Sequence, residues 1–349
     1  MISADVVVVG AGVMGSATAR WLARSGREVV VLEQFEPGHT RGSSHGASRI
    51  FRFSYHDPFY VRMAQEALEL WRELEDEAGE PLLDVTGGLD VGPGADSHAQ
   101  AMEACGVAFE RLDPRERARR FPHVQLPEEG TVLFQADSAV VAADRAVGAF
   151  AAGATRGGAE LRHGVRVRRL SEEDGGAVLH TDDEEYRARV AVITAGAWAR
   201  GLLQGLGIDV PTRPTRETVA YFRVPEGPAY PTLVDWGTPA VYSLPSPGQG
   251  IKAGQHIAGP VTDPDEEGRV SEESVATLRE WIARRYPEAD PEPHHAETCL
   301  YTNTPDESFI LKRHGPFVIG SACSGHGFKF SPLIGKRLAG LVESPPGPG

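Results

Sequence analysis

A short β-branched run that ends in glycine and opens straight into a helix most narrows the folds open to this chain. Asp5-Val-Val-Val-Val-Gly10 has the pattern of a strand buried on both faces of a parallel sheet, and Gly10-Ala11-Gly12-Val13-Met14-Gly15 follows at once. A helix is expected from Ser16, with Ala17, Trp21 and Leu22 inward and Gly26 as its stop. Val29-Val-Val-Leu32 returns as a second buried strand. In a GxGxxG turn the first glycine makes the bend, the second admits a pyrophosphate and the third lets helix pack on strand. Glu33, 18 residues after Gly15, can accept hydrogen bonds from a ribose hydroxyl pair and disfavours a 2′-phosphate. On this motif alone NAD and FAD both remain open.

A chain of 349 residues exceeds what one growing core accommodates, so two domains are expected. Lys and Arg number 35 against 49 Asp and Glu, a balance that repels phosphate backbones and anionic lipid and argues against nucleic acid or membrane as partner. The three cysteines, Cys105, Cys299 and Cys323, have no zinc or disulfide spacing. With no signal peptide and no apolar run of membrane length, the expectation is a cytoplasmic protein.

Helix spacing recurs at Val61, Ala64, Leu68, Trp71 and Leu74, which predicts a helix over Pro58 to Ala78. Glycine and proline then punctuate residues 85 to 135, where regular structure is not assigned. A helix from Ala142 to Ala154 is expected, then strands over 164–170, 177–181 and 189–196. Tyr221 to Gln255 reads as an antiparallel meander, and Ser271 caps a helix buried through Val275, Leu278 and Ile282. Phe317 to Ser321 gives a strand, followed by a glycine loop and a helix carrying Leu333, Ile334, Leu338 and Leu341; the tail from Ser344 to Gly349 is expected to be disordered. The fold class is therefore α/β: a Rossmann-like dinucleotide-binding domain from residues 1–85, 136–210 and 305–349, and an antiparallel β-sheet substrate domain from 86–135 and 211–304.

Four further segments carry chemistry. Gly42-Ser43-Ser44-His45-Gly-Ala-Ser-Arg49-Ile-Phe-Arg52 places small residues, a histidine and two arginines just after the nucleotide unit, where backbone amides can reach a ligand and arginine can grip a carboxylate. Cys299-Leu-Tyr301-Thr-Asn-Thr and Gly325-His-Gly327-Phe-Lys329-Phe-Ser lie near the other end. Ile-Lys252-Ala-Gly-Gln-His256 lies between them. No metal set, GxSxG elbow or HExxH occurs, and His294-His295 is read as an exposed pair.

In matching order from Ala4 to about Leu341, this set resembles the monomeric sarcosine oxidase and N-methyltryptophan oxidase family, FAD-dependent oxidases related to D-amino-acid oxidase. The resemblance implies FAD, bound covalently through Cys299 by a thioether to the flavin 8α carbon. It implies that Lys252 faces the flavin and promotes reaction with O2, where a cation stabilises developing superoxide. Arg52 and Lys329 then hold a substrate carboxylate, Tyr301, Tyr242 and His256 line the same pocket, and His45 and Arg49 sit beside the flavin. Gly325 and Gly327 precede a helix whose dipole points at the ring. Thr194-Ala-Gly196-Ala-Trp198 resembles a strand end against the flavin. Ser48 and the segment 232–240 depart from the family pattern, and the chain stops soon after Leu338; the 232–240 departure bears on substrate identity.

The implied activity is oxidation of a secondary amine or N-methyl amino acid to an imine that hydrolyses, with O2 reduced to hydrogen peroxide, by a monomer. A dehydrogenase using another acceptor, a natural-product amine oxidase and a non-catalytic flavin protein remain as alternatives.

Overall fold

The computed structural model describes residues 2–344, so most of the tail from Ser344 to Gly349 lies outside the described residues. In chain order the elements are β1 (Ile2–Val9), α1 (Val13–Arg24), β2 (Val29–Leu32), β3 (Ser48–Phe51), α2 (Pro58–Ala78), β4 (Leu83–Asp84), β5 (Gly88–Val91) and α3 (Ala95–Ala104). β6 (Glu110–Arg111), α4 (Pro114–Arg120), β7 (Val132–Gln135), β8 (Ala139–Ala142), α5 (Ala143–Arg156), β9 (Glu160–Arg162), β10 (Arg169–Glu173), β11 (Gly176–His180) and β12 (Glu185–Ile193) follow. Then come α6 (Ala199–Gln204), β13 (Arg213–Phe222), β14 (Thr232–Asp235), β15 (Val241–Ser246), β16 (Gly250–Gln255), α7 (Glu272–Arg285), β17 (His295–Asn303), β18 (Ile310–His314), β19 (Phe317–Ser321) and α8 (Ser331–Glu343).

β1 lies between β2 and β12, parallel to both, and β9 and β19 extend the parallel set on either side. The β-branched run is buried on both faces for this reason. Val6 and Val8 pack under α1, α5 and α8, while Val7 and Val9 face the other way onto Leu170, Leu179, Ala199 and Leu203. Each fully buried valine contributes about 1.5–3 kcal/mol relative to exposure, so the run commits this strand to the sheet centre.

The second sheet has the order β17-β13-β16-β15-β14-β5-β7-β6, antiparallel except where β14 joins β5. It covers one face with α7, through Leu278, Trp281 and Ile282. Ser271 caps that helix as expected, accepting from the Ser274 amide at 3.2 Å. A three-stranded sheet, β3-β8-β4, bridges the two halves.

α2 spans the residues its periodicity predicts, entered by an Asp57 cap and closed by Gly79 at φ 72°. Other boundaries move. α1 starts at Val13 rather than Ser16, because Gly12 already has extended backbone and acts as the cap residue. Trp21 is half-buried at the seam with α8, its indole donating to Pro332 O at 3.1 Å. Residues 164–168 are irregular and the strand is β10, Arg169–Glu173. Helices α3 and α4 lie between residues 85 and 135; both are short, and α4, rich in charge, is started by an Asp113–Glu116 capping box.

Candidate active site

The first glycine of the turn has φ 96°, and a Cβ there would stand 2.7 Å from Thr194 O at the end of β12. A Cβ on Gly15 would fall 1.8 Å from Gly10 O, so helix and turn touch backbone to backbone. Gly12 has ordinary backbone, φ −62°, and its missing side chain leaves space on the open side of the turn, bounded by Ser44 Oγ. Glu33 is buried and held by the amides of Ala11 (2.8 Å) and Phe35 (3.0 Å), while Ser44 Oγ accepts from the Val13 amide at 3.0 Å.

These residues open one end of a cavity of about 1910 Å³. That exceeds the roughly 300–1,000 Å³ of an ordinary small-ligand site. Of the residues singled out from the sequence, all but Gly15 line it: the turn, Glu33, Ser43, Ser44, His45, Arg49, Arg52, Tyr242, Lys252, His256, Cys299, Tyr301, Gly325, Gly327 and Lys329. Thr194 to Trp198 line it as well, as do Val234, Trp236 and Ala240 from the divergent 232–240 segment.

The inner part is strongly cationic. Arg49 donates to the carbonyls of Ser43 (2.9 Å), His45 (2.6 Å) and Ser48 (2.8 Å), which fixes the loop it belongs to, and its guanidinium lies 5.5 Å from the Phe328 ring centre. Burial and then Arg49 hold His45 below the usual histidine range, and its Nδ1 is buried without a partner. Lys252 projects from β16 between Tyr221 and Leu244. Burial first, then Arg49, pushes its ammonium down to about 8, against the opposing pull of Cys299, Glu297 and Asp144. Glu297 accepts from Tyr221 Oη at 2.5 Å. Burial pushes the Cys299 thiol up to about 11, opposed by Arg49 and Lys252.

At the far end Arg52 and Lys329, from opposite ends of the chain, meet at Tyr55. Lys329 is buried and donates to Tyr55 Oη (3.0 Å) and His326 O (2.8 Å); Arg52 lies with its guanidinium carbon 4.4 Å from the Tyr55 ring centre. Burial, then Arg52, holds the Lys329 amine well below its ordinary range. His326 is pushed down to about 3 by burial and then Lys329, so it stays neutral. Tyr301 requires Gly325, at φ 71°, because a Cβ there would stand 2.2 Å from the ring. His256 sits at the rim and pairs with Glu307 at 3.2 Å.

Tyr55, His326, Trp236, Glu297 and Tyr221 were not singled out from the sequence. Tyr55 and His326 had a signal, being three residues from Arg52 and from Lys329. Trp236, just past β14, lies in the divergent 232–240 segment, whereas Tyr221 and Glu297 come from β13 and β17 and carried no signal.

The residues suit a dinucleotide that ends in a reducible ring: an acid and a glycine turn at one end, cations and the unpartnered His45 Nδ1 and Thr302 Oγ1 towards the other. The family model described as FAD-dependent oxidoreductase (DAO) matches residues 5–341. Peroxisomal sarcosine oxidase of Homo sapiens is 37% identical over 96% of this chain and 90% of its own. Monomeric sarcosine oxidase of Bacillus sp. (strain NS-129) is 33% identical over 97% and 93%. Among solved structures NikD, an unusual amino acid oxidase essential for nikkomycin biosynthesis, superposes with a TM-score of 0.88 at 29% identity, over 98% of this chain and 94% of that one.

Proposed function

The chain belongs to the DAO family of FAD-dependent oxidoreductases, and from that premise we propose that it oxidises a small secondary amine bearing a carboxylate, of the N-methyl amino acid type, and passes the electrons to O2. It is an FAD-dependent amine oxidase. The observation that carries the finer reading is the pairing of Arg52 and Lys329 in one buried pocket at the end of the cofactor cavity.

Glu33 and the Gly10–Gly15 turn hold the ribose and pyrophosphate, and His45, Arg49, Lys252, Cys299 and the Gly325–Gly327 loop surround the flavin. Bound FAD supplies a two-electron acceptor for the amine's C–H bond and returns those electrons to oxygen. Arg52 and Lys329 take the carboxylate. The arriving anion restores the charge that burial withdraws from Lys329, so the ion pair forms as the substrate seats. Neutral His326 adds no further charge, and Tyr55 Oη fixes the Lys329 ammonium. An amine bound in its neutral form needs no strong side-chain base. Water then hydrolyses the imine to the shorter amine and a carbonyl compound, and two electrons and two protons convert O2 to H2O2. Lys252 places a positive charge where oxygen becomes anionic.

In this reading Cys299 tethers FAD by a thioether. Residues 1–85, 136–210 and 305–349 form the FAD-binding unit, and 86–135 with 211–304 the substrate unit. The enzyme acts as a cytoplasmic monomer; its three cysteines are unpaired, and no described helix is long and apolar enough to cross a membrane.

The test is purified enzyme under air with sarcosine, L-proline, N-methyl-L-tryptophan and unmethylated glycine. Peroxide matched to amine consumed, and its loss in Arg52→Ala, is expected. Turnover only with an artificial acceptor would replace the oxidase with a dehydrogenase; turnover unaffected by Arg52→Ala would remove the carboxylate grip.

A further inference from the structure

Arg52 is set by a chain of buried contacts that stands behind the cavity wall. Its Nη1 donates to Ser54 Oγ at 3.0 Å, and Ser54 Oγ donates to Asp90 Oδ2 at 2.6 Å. The other carboxylate oxygen of Asp90 accepts from Trp236 Nε1 at 3.0 Å. Trp236 in turn lies against the guanidinium, 5.2 Å from its carbon to the ring centre, with Tyr55 at 4.4 Å. Asp90 and Ser54 are buried, and neither lines the cavity.

A charged residue in the middle of the buried strand Gly88–Val91 is costly unless both oxygens are engaged. Here both are, and by groups that touch Arg52. Three contacts orient the guanidinium. Two aromatic rings contact it, one edge nitrogen is tied to Ser54, and Nη1 is the only nitrogen donating to protein among the described residues. What remains is one edge of the fork, which fits two parallel N–H···O bonds to a planar carboxylate.

We propose that Asp90, acting through Ser54 and Trp236, is the positioning residue that fixes the plane of Arg52 and so sets its grip on the substrate carboxylate. The proposal rests on the reading of Arg52 as the carboxylate grip. Asp90 also balances charge. Arg52 and Lys329 can supply two positive charges, and one carboxylate from Asp90 and one from the substrate neutralise them. His98, whose Nδ1 is 3.8 Å from Asp90 Oδ1 and unpartnered, is pushed down to about 4 by burial and then Arg52, so it does not cancel the Asp90 charge at neutral pH.

Replacing Asp90 by Asn keeps the size and an acceptor for Trp236, but turns the atom facing Ser54 into a donor. Ser54 then loses the acceptor that orients its hydroxyl, so the lone pair offered to Arg52 is no longer fixed in direction, and the negative charge behind Arg52 is gone. The experiment uses the FAD-loaded enzyme as wild type, Asp90→Asn, Ser54→Ala and the double variant, each also in an Arg52→Gln background. Expected are a KM for sarcosine and L-proline raised about tenfold with kcat within about twofold, a double variant no worse than either single one, and no further rise once Arg52 is Gln. N-Methylbenzylamine, which lacks the carboxylate, should keep its wild-type KM. An unchanged sarcosine KM in Asp90→Asn, or an equal rise in the Arg52→Gln background, overturns the proposal. Benzoate binding, followed through FAD absorbance, tests the grip without turnover. A wild type that binds benzoate yet oxidises no amine refutes the proposed reaction, and the Asp90→Asn shift in benzoate affinity still decides this one.

Discussion

Gly12 and Gly15 stand three residues apart in one turn, yet the structure requires opposite consequences from Gly12→Ala and Gly15→Ala. At Gly15 a methyl group would lie 1.8 Å from Gly10 O and 2.8 Å from Thr194 Oγ1, so backbone must move. Overpacking of that kind costs about 1–3 kcal/mol, and it falls on the folded protein whether or not cofactor is bound. At Gly12 the nearest atom is Ser44 Oγ at 3.2 Å, and φ −62° suits any residue. The tight contact is offset by about 0.4–1 kcal/mol from the lower entropy of the unfolded chain, which leaves the apoprotein close to wild type. Its methyl group instead enters the pyrophosphate seat. The same overpacking range applied to the complex corresponds to a loss of about 5–150-fold in FAD affinity. Urea unfolding of apoprotein from riboflavin-limited cells, with FAD titration followed by flavin fluorescence, separates the two. Wild-type FAD affinity in Gly12→Ala, or a fall in its urea midpoint equal to that of Gly15→Ala, would refute the assignment of the turn.

Lys252→Met should slow reoxidation by O2 at least tenfold while amine-dependent reduction survives. Because the ammonium is pushed down to about 8, wild-type reoxidation should decline as pH rises through that value, and stopped-flow traces of the variant should be flat across the same range. Cys299→Ser should release its flavin on acid precipitation, whereas the wild-type pellet stays yellow; equal release from both would exclude the tether. Glu77→Ala, far from the site, leaves the fully buried Arg20 without its main partner, which accepts from Nε at 2.8 Å. Glu73 still reaches Arg20 Nη2 at 3.3 Å, so the cost in urea unfolding should be about 1–3 kcal/mol, with KM unchanged.

The segments legible from sequence are those in which local pattern and final environment coincide. β1, the glycine turn, β2 and α2 are such cases: a β-branched run, a motif with steric requirements and a 3.6-residue period each state their own burial. Ser271 announced α7 in the same way. The boundaries of α1 and β10, and the helices α3 and α4, were less visible, since caps and neighbouring strands decide where such short elements begin. Residues 42–52 show both regimes. Their small residues and arginines marked a ligand-facing loop, but only the pairing of β3 with β8 turns Ser48–Phe51 into a strand and sets Arg49 and Arg52 at different depths in the cavity.

The candidate site divides on the same line. Sequence alone determined a GxGxxG turn with an acid 18 residues beyond it, and a family resemblance that brought in Cys299, Lys252, Arg52 and Lys329. Tertiary structure alone decided that Tyr55 joins Arg52 to Lys329, and that the 232–240 segment enters the pocket as Trp236. It also decided that Asp90, one charge in a buried strand, governs an arginine it does not touch. A GxGxxG turn acts through backbone sterics within one short stretch, so its residues must be written consecutively. A substrate pocket acts through side chains delivered by separate strands and helices, and their meeting has no period in the sequence.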